Sequence, residues 1–202
     1  MDAWPSILGE TPLPDRSGLR VKTIQTRDQL NEAEFSNIGL AVAKYLARRP
    51  TGRMAPFTLR WVLRLHKEML GQVWIWAGKP RQTDVTNYGC PPWQIETKLQ
   101  ELLDDLRCWD GYGMEIVEQA ARLHYRAVKI HPFLNGNGRW ARLLSAIWQK
   151  RHDSPLTYWP EQDISAEGSS TRGIYLESLR QADIGDYAPL IALHRQFTQP
   201  IG

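Results

Sequence analysis

Apolar positions recur along this chain at helical spacing in one block after another. Between 26 and 49, Leu30, Ala33, Ile38, Ala41, Tyr45 and Leu46 follow that period. Thr26 stands where an N-cap is needed, and Pro50 and Gly52 stop the pattern. Residues 57–70 predict a second amphipathic helix, with Leu59, Val62, Leu63, His66 and Leu70 near one face. Ile95, Leu99, Leu102, Leu103 and Leu106 mark a third. Gly111 and Gly113 separate it from 114–130, where Ile116, Val117, Ala120, Ala121, Leu123, Ala127 and Val128 form the cleanest apolar stripe of the chain. That stripe predicts a buried central helix. Further helices are expected over 138–151, 171–183 and 186–197.

Two stretches break this rhythm. Residues 1–25 carry Pro5, Gly9, Pro12, Pro14 and Gly18 and read as an extended arm. In 81–94, the β-favouring Thr83, Val85, Thr86 and Tyr88 precede Gly89, Pro91 and Pro92, which predicts a short hairpin or flap. The reading is an all-α bundle around a central helix–loop–helix, with a small β-hairpin flap. It places one domain over 26–197 (N-terminal helix 26–49, core 57–197), after the arm 1–25 and before a tail 198–202.

Composition narrows the function classes. With 202 residues, 42% hydrophobic and 23% charged, the chain suits one globular domain. A net charge of +3 is too mild to indicate nucleic acid or membrane binding, and no recognition-helix pattern is visible. No apolar run approaches ~20 residues, so no membrane span is expected. The start lacks the basic and apolar regions of a secretory signal. Cys90 and Cys108 read as free thiols in a reducing, cytoplasmic setting. Nine tryptophans are read as core or rim residues. His66 and His124 lie on predicted helices without metal-ligand spacing, and His152 and His194 are expected at the surface.

The chemistry concentrates in "HPFLNGNGR", residues 131–139, between the central helix and the next. Pro132 keeps His131 out of right-handed helical backbone. Gly136 and Gly138 let backbone N–H groups converge on an anion. The following helix presents its positive N-terminus there, which favours phosphate. Arg139 and Arg142, three apart, suit phosphate oxygens. An imidazole at 131 can take a proton from an attacking hydroxyl. Each feature alone is commonly structural; in this order on a helix–loop–helix they point to nucleophile activation beside a polyphosphate.

The pattern His131, Phe133, Asn135, Gly136, Asn137, Gly138, Arg139, Arg142 resembles the Fic family motif, His-x-Phe-x-(Asp/Glu)-Gly-Asn-Gly-Arg-x-x-Arg, with Asn135 as the one departure. "WIWAGKPR" is similar to the stretch before the family's flap, and "YLESLRQADIGDYAPL" resembles the helix closing its nucleotide pocket. The similarity covers 57–197. "TRDQLNEAEFSNI" with "HPFLNGNGRWAR" further resembles the branch called mobile mystery protein B.

The resemblance implies transfer of AMP from ATP to a hydroxyl of a target protein (Ser, Thr or Tyr), releasing pyrophosphate. His131 would be the general base, and Gly136, Asn137 and Gly138 the anion hole. Arg139 and Arg142 would hold phosphates, and Phe133 would anchor the loop. Tyr175 and Asp183 match positions lining the base pocket in some relatives. Thr83, Asp84, Val85, Thr86, Asn87 and Tyr88 fall where such proteins dock a target segment. Mg²⁺ accompanies ATP, and Asn135 replaces the acidic metal ligand with a neutral carbonyl, which implies weaker metal binding. The family's inhibitory pattern, (Ser/Thr)-x-x-x-Glu-(Gly/Asn), is not complete: Glu167 precedes a glycine, but Asp163 stands four residues earlier. Restraint would come from a small antitoxin-like partner or from Glu34, whose plainer reading is a solvent-facing helix carboxylate. The alternatives are a Fic-fold phosphotransferase or UMP transferase, and a non-catalytic module that binds nucleotide or a partner.

Overall fold

Thr26 opens α1 (Arg27–Leu46) with a capping box: its hydroxyl accepts the Gln29 N–H at 3.3 Å, and the Gln29 side chain returns to the Thr26 N–H at 3.2 Å. Thr58 caps α2 (Leu59–Leu70) without the reciprocal bond, its hydroxyl accepting from the Trp61 N–H. The computed structural model describes residues 16–84, 89–166 and 168–198. A 3₁₀ turn at Pro92–Gln94 leads into α3 (Ile95–Gly111), followed by α4 (Ile116–Ile130) and α5 (Asn137–Arg151). Then come α6 (Glu161–Ser165), α7 (Ser170–Asp183) and α8 (Ala188–Gln196). The predicted helices are all present. The five-residue α6 was not foreseen, because one turn and a half shows no period.

Helix α5 is the most deeply enclosed: every residue from Trp140 to Gln149 is buried. The apolar stripe pointed instead to α4, and for a physical reason. A helix covered on all sides has no polar face, so it shows no stripe. The main core joins α1 to α5 around Trp61, Trp74, Trp140 and Phe133, each at most 1% exposed. A second, smaller cluster sets Ala121 and Tyr125 of α4 against Ala182 of α7 and Leu190 of α8. Helix α4 thus touches both clusters, and the loop after it opens between them.

Among the described residues there is no strand; two isolated bridges pair Leu19 with Trp74 and Thr157 with Thr198. Thr83 and Asp84, at the start of the expected flap, are in no regular element, and Val85, Thr86, Asn87 and Tyr88 lie outside the described residues. So does the arm up to Asp15. Residues 16–25 of the arm are docked on the core through buried Leu19 and Ile24. No helix among the described residues is long and apolar enough to cross a membrane.

Glu34 fastens α1 to this core. Read as solvent-facing, it is instead 4% exposed. One carboxylate oxygen accepts the Trp74 indole N–H at 2.6 Å, and the other accepts Arg139 Nη1 at 2.7 Å. The chain invests both oxygens of a buried carboxylate in holding three elements together, and solvent is a poor competitor there. Replacing Glu34 by Gln keeps an acceptor for Trp74 and removes the charge facing Arg139. Urea unfolding of Glu34→Gln should show a loss of about 1–3 kcal/mol; an unchanged midpoint would contradict this role.

Candidate active site

Two left-handed residues shape the loop between α4 and α5. His131 ends α4 at φ 51°, ψ 59°, and Gly136 opens α5 at φ 78°. Left-handed backbone costs a side-chain-bearing residue roughly 1–2 kcal/mol, so His131 must be held there from outside. Arg81 does this. It is 2% exposed and gives its Nε to the His131 carbonyl at 2.7 Å and its own N–H to the Pro132 carbonyl at 2.8 Å. Its Nη1 reaches the Thr83 carbonyl at 2.8 Å, and Nη2 reaches that of Cys90. One guanidinium therefore joins both ends of the 83–90 segment to the loop.

The rest of the loop is stapled from below. Phe133 is fully buried, stacked on His66 with centroids 3.6 Å apart and edge-on to Trp140. His66 Nδ1 accepts the Gly78 N–H at 2.9 Å, so its proton sits on Nε2 and is donated to the Asn135 carbonyl at 3.0 Å. Asn137 accepts the Phe133 N–H at 2.9 Å and donates to the Phe133 carbonyl at 2.8 Å. Its side chain is spent inside the loop, leaving its backbone for any anion. A Cβ on Gly136 would come within 2.6 Å of Leu70 Cδ1, in a backbone region that L-residues avoid.

A pocket forms above this loop, walled by His131, residues 135–139, Arg142, Arg172 and Tyr175, with Val128, Ile164, Leu176 and Leu179 as its apolar side. The first N–H groups of α5 have no acceptor within the helix and lie at its floor. His131 is pushed down to about 4, first by burial and then by the charge of Arg81, against an opposing hydrogen bond that the ring donates to the Val128 carbonyl. It is neutral at pH 7 and able to accept a proton.

The structure brings together His131, Gly136, Asn137, Gly138, Arg139, Arg142, Asn135 and Tyr175 at this pocket. It sets Asp183 apart: that carboxylate holds Tyr125 Oη at 2.7 Å and Lys129 Nζ at 2.5 Å and is not in the pocket wall. Arg142 donates Nε and Nη2 to the two oxygens of Glu161 at 2.7 and 2.5 Å. The guanidinium is 6% exposed, while the Glu161 side chain is 49% exposed. The carboxylate on Arg142 is thus Glu161, and Glu34 engages Arg139. Arg172, Arg81, His66 and Glu161 were not read as site residues. Arg172 shares a face of α7 with Tyr175, which is a usable signal; Arg81 follows a proline in a loop and has none.

Asn135 does not fit a resident metal site. Its Oδ1 faces Arg139 Nη2 at 3.3 Å, a cation beside its only side-chain oxygen, and its carbonyl is taken by His66. Among the described residues no group of three or more His, Cys, Asp or Glu could hold a metal ion. Divalent cation would enter with substrate phosphates. The surface reading of His194 is corrected as well: it is fully buried.

Comparison with known proteins bears on the family and the fold. Residues 56–148 match the model of the Fic/DOC family. Protein adenylyltransferase fic-1 of Caenorhabditis briggsae is 34% identical over 134 residues, which is 64% of this chain and 25% of that protein. Protein adenylyltransferase Fic of Nematostella vectensis is 31% identical over 160 residues, 77% of this chain and 36% of the relative. The chain spans about a quarter to a third of the length of these curated relatives. Among solved structures, the BepC protein of Bartonella tribocorum with bound AMPPNP superposes with a TM-score of 0.67 at 19% identity, covering 89% of this chain and 90% of that one. A Fic-1 fragment from C. elegans gives 0.67 at 23%, covering 88% and 50%. These likenesses show an all-α Fic fold.

The buried imidazoles set an acid limit on stability. Burial lowers His66 and His194 to about 3, His131 to about 4, and His124 well below its ordinary value. The unfolded chain binds these protons near pH ~6.5, so stability is complete above that and falls as pH drops toward the folded values. Each group contributes a slope of up to about 1.4 kcal/mol per pH unit. Urea midpoints measured stepwise should fall steeply from pH 6 to 4. A midpoint flat across that window would contradict neutral, buried histidines.

Proposed function

From a chain that carries a Fic/DOC family domain over residues 56–148, we propose a protein adenylyltransferase that moves AMP from ATP to a hydroxyl of a target protein. The observation that carries this reading is the neutral His131 imidazole at the mouth of a pocket floored by the N-terminus of α5 and walled by Arg139, Arg142 and Arg172. A neutral imidazole accepts the hydroxyl proton as oxygen attacks the α-phosphorus. The new P–O bond forms as the bond to pyrophosphate breaks, and the proton rests on His131. Backbone N–H groups at Gly136 and Gly138 face the phosphoryl oxygens without a desolvation cost from long side chains. Arg142 and Arg172 neutralise the departing charge, while Arg139 stays paired with Glu34.

Target docking at Thr83, Asp84, Val85, Thr86, Asn87 and Tyr88 belongs to the same proposal. It is supported by the Arg81 link between the ends of that segment and the His131 carbonyl. Tyr175 fits the base side of the pocket; Asp183 would need to leave Tyr125 and Lys129 to join it. Magnesium enters as MgATP. The narrower likeness to the mobile mystery protein B branch rests on the two quoted sequence stretches; the expectation of an antitoxin-like partner rests on the incomplete inhibitory pattern around Glu167. The phosphotransferase, UMP transferase and non-catalytic readings are outcomes of the tests below. The Glu161–Arg142 pair offers restraint from within the chain: while it holds, the guanidinium is turned away from nucleotide phosphates.

Two measurements test this reading. With ATP labelled at the α-phosphate, wild type should label itself or an added protein, and His131→Ala should lose at least ~10²-fold in rate while ATP affinity stays within about threefold. An alanine variant as fast as wild type removes His131 from the mechanism; label transferred only from the γ-phosphate makes the protein a phosphotransferase. Glu161→Gln should free Arg142 and tighten ATP by about threefold to tenfold in calorimetry, the low end of a charge-assisted bond because Glu161 is half exposed. Unchanged affinity would mean that Glu161 restrains nothing.

A further inference from the structure

Behind the pocket runs a continuous buried chain of hydrogen bonds that the mechanism above does not use. Tyr175 Oη lies 3.0 Å from His124 Nε2. His124 Nδ1 lies 3.1 Å from His194 Nε2, and His194 Nδ1 lies 3.0 Å from Thr157 Oγ1. The two imidazoles are fully buried, and Tyr175 and Thr157 are 6% and 5% exposed. Trp159 packs edge-on against His124, Tyr175 and His194, sealing the chain in an aromatic cage. The residues come from four separate places: α4, α7, α8 and the loop after α5.

The direction of this chain follows from its ends. A guanidinium can only donate, so Arg142, whose Cζ lies 5.9 Å from the Tyr175 ring centroid, offers that hydroxyl no acceptor. The Tyr175 proton is then free to point at His124 Nε2. His124 must carry its proton on Nδ1 and give it to His194 Nε2. His194 carries its own on Nδ1 and gives it to Thr157. At the far end Gln149 Oε1 accepts the Thr157 N–H at 3.2 Å, which fixes the amide so that Nε2 donates to Thr157 Oγ1 at 3.1 Å. The Thr157 hydroxyl passes its proton to the His194 carbonyl at 3.3 Å. Every donor has an acceptor in this one polarity, and burial makes an unpaired member costly.

We propose that His124 is a positioning residue: through Tyr175 it fixes the face of Arg142 that does not touch Glu161. It keeps the Tyr175 proton turned inward, so that the pocket meets only a Tyr175 lone pair. Arg142 has Glu161 bonded on one side and the Tyr175 ring beside it on the other. When nucleotide phosphate replaces the half-exposed Glu161, the Tyr175 side remains and delivers the guanidinium already oriented. The inference rests on the nucleotide reading of the pocket and deepens it. Loss of His124 frees the Tyr175 proton to turn toward the pocket, where it competes with the donor face of Arg142. The neutral state of both imidazoles agrees with this, since a doubly protonated ring would break the polarity.

The test compares ATP with adenosine by calorimetry on the full chain. His124→Leu should weaken ATP by about threefold to tenfold and leave adenosine within about twofold, because only phosphates meet Arg142. Tyr175→Phe, which keeps the ring face on the base side, should likewise weaken ATP more than adenosine, and the double variant should lose no more than either single one. His124→Gln, whose side-chain oxygen can accept from Tyr175, should restore most of the affinity. Equal loss for both ligands, or additive losses in the double variant, would mean that His124 only fills space and would overturn the proposal. Should His124→Leu not fold, Tyr175→Phe alone decides: without a selective ATP loss the proposal fails. A readout independent of ATP separates this from failure of the adenylyltransferase reading. In ¹⁵N NMR, His124 should be protonated on Nδ1 and bare on Nε2. The opposite tautomer overturns the proposal whether or not ATP binds.

Discussion

Everything at this site depends on a six-residue connection between two helices being held in a shape it would not adopt alone. His131 stands in left-handed backbone without the freedom of glycine. The staples are not in the loop itself. Arg81 grips the carbonyls of His131 and Pro132, His66 grips that of Asn135, and Asn137 folds back on Phe133. The result is a rigid rim. It sets a neutral imidazole and the N-terminus of α5 in one pocket, and preorganised groups of this kind need no reorganisation as charge develops. Burial of the staples is what gives them leverage, since a carbonyl released from Arg81 or His66 would find no water.

Charge follows the same economy. Glu34 and Glu161 each take one arginine of the motif, from opposite ends of the chain. The two pairs differ in kind. Glu34 is enclosed, with both oxygens engaged, and acts as a structural bolt between α1 and α5. Glu161 is half exposed on a short helix, and water can replace it on Arg142 at small cost. A pair that can open belongs at a ligand site; a pair that cannot belongs to the fold. Asn135, neutral beside Arg139, completes that division by adding no third charge to the bolt.

How much of this was readable in the sequence varied with the distance over which each residue acts. Local devices were legible: Thr26 as a cap, Gly136 as a position that permits positive φ, Pro132 as the reason His131 leaves the helix. The order of residues from 131 to 142 was enough to bring His131, residues 135–139 and Arg142 to one pocket. Long-range partners were not legible. Nothing around Arg81 announces that it closes on residues fifty positions later, and Glu161 lies on a helix too short to show a period. Glu34 and His194 were read as surface groups, because a polar residue in an amphipathic stretch looks solvated until its partner arrives from another element. Helix α5 was underrated for the opposite reason, since complete burial erases the pattern by which helices are recognised.

The claim at the centre is that this rim and pocket serve transfer of a nucleoside monophosphate, not of a phosphate, and not binding alone. Intact-mass spectrometry of the chain and candidate target proteins, after incubation with each nucleoside triphosphate in turn, tests it most directly. The account predicts a covalent adduct of one AMP, formed from ATP and not from UTP. An adduct of phosphate or UMP, or no adduct from any triphosphate although ATP binds, would contradict it.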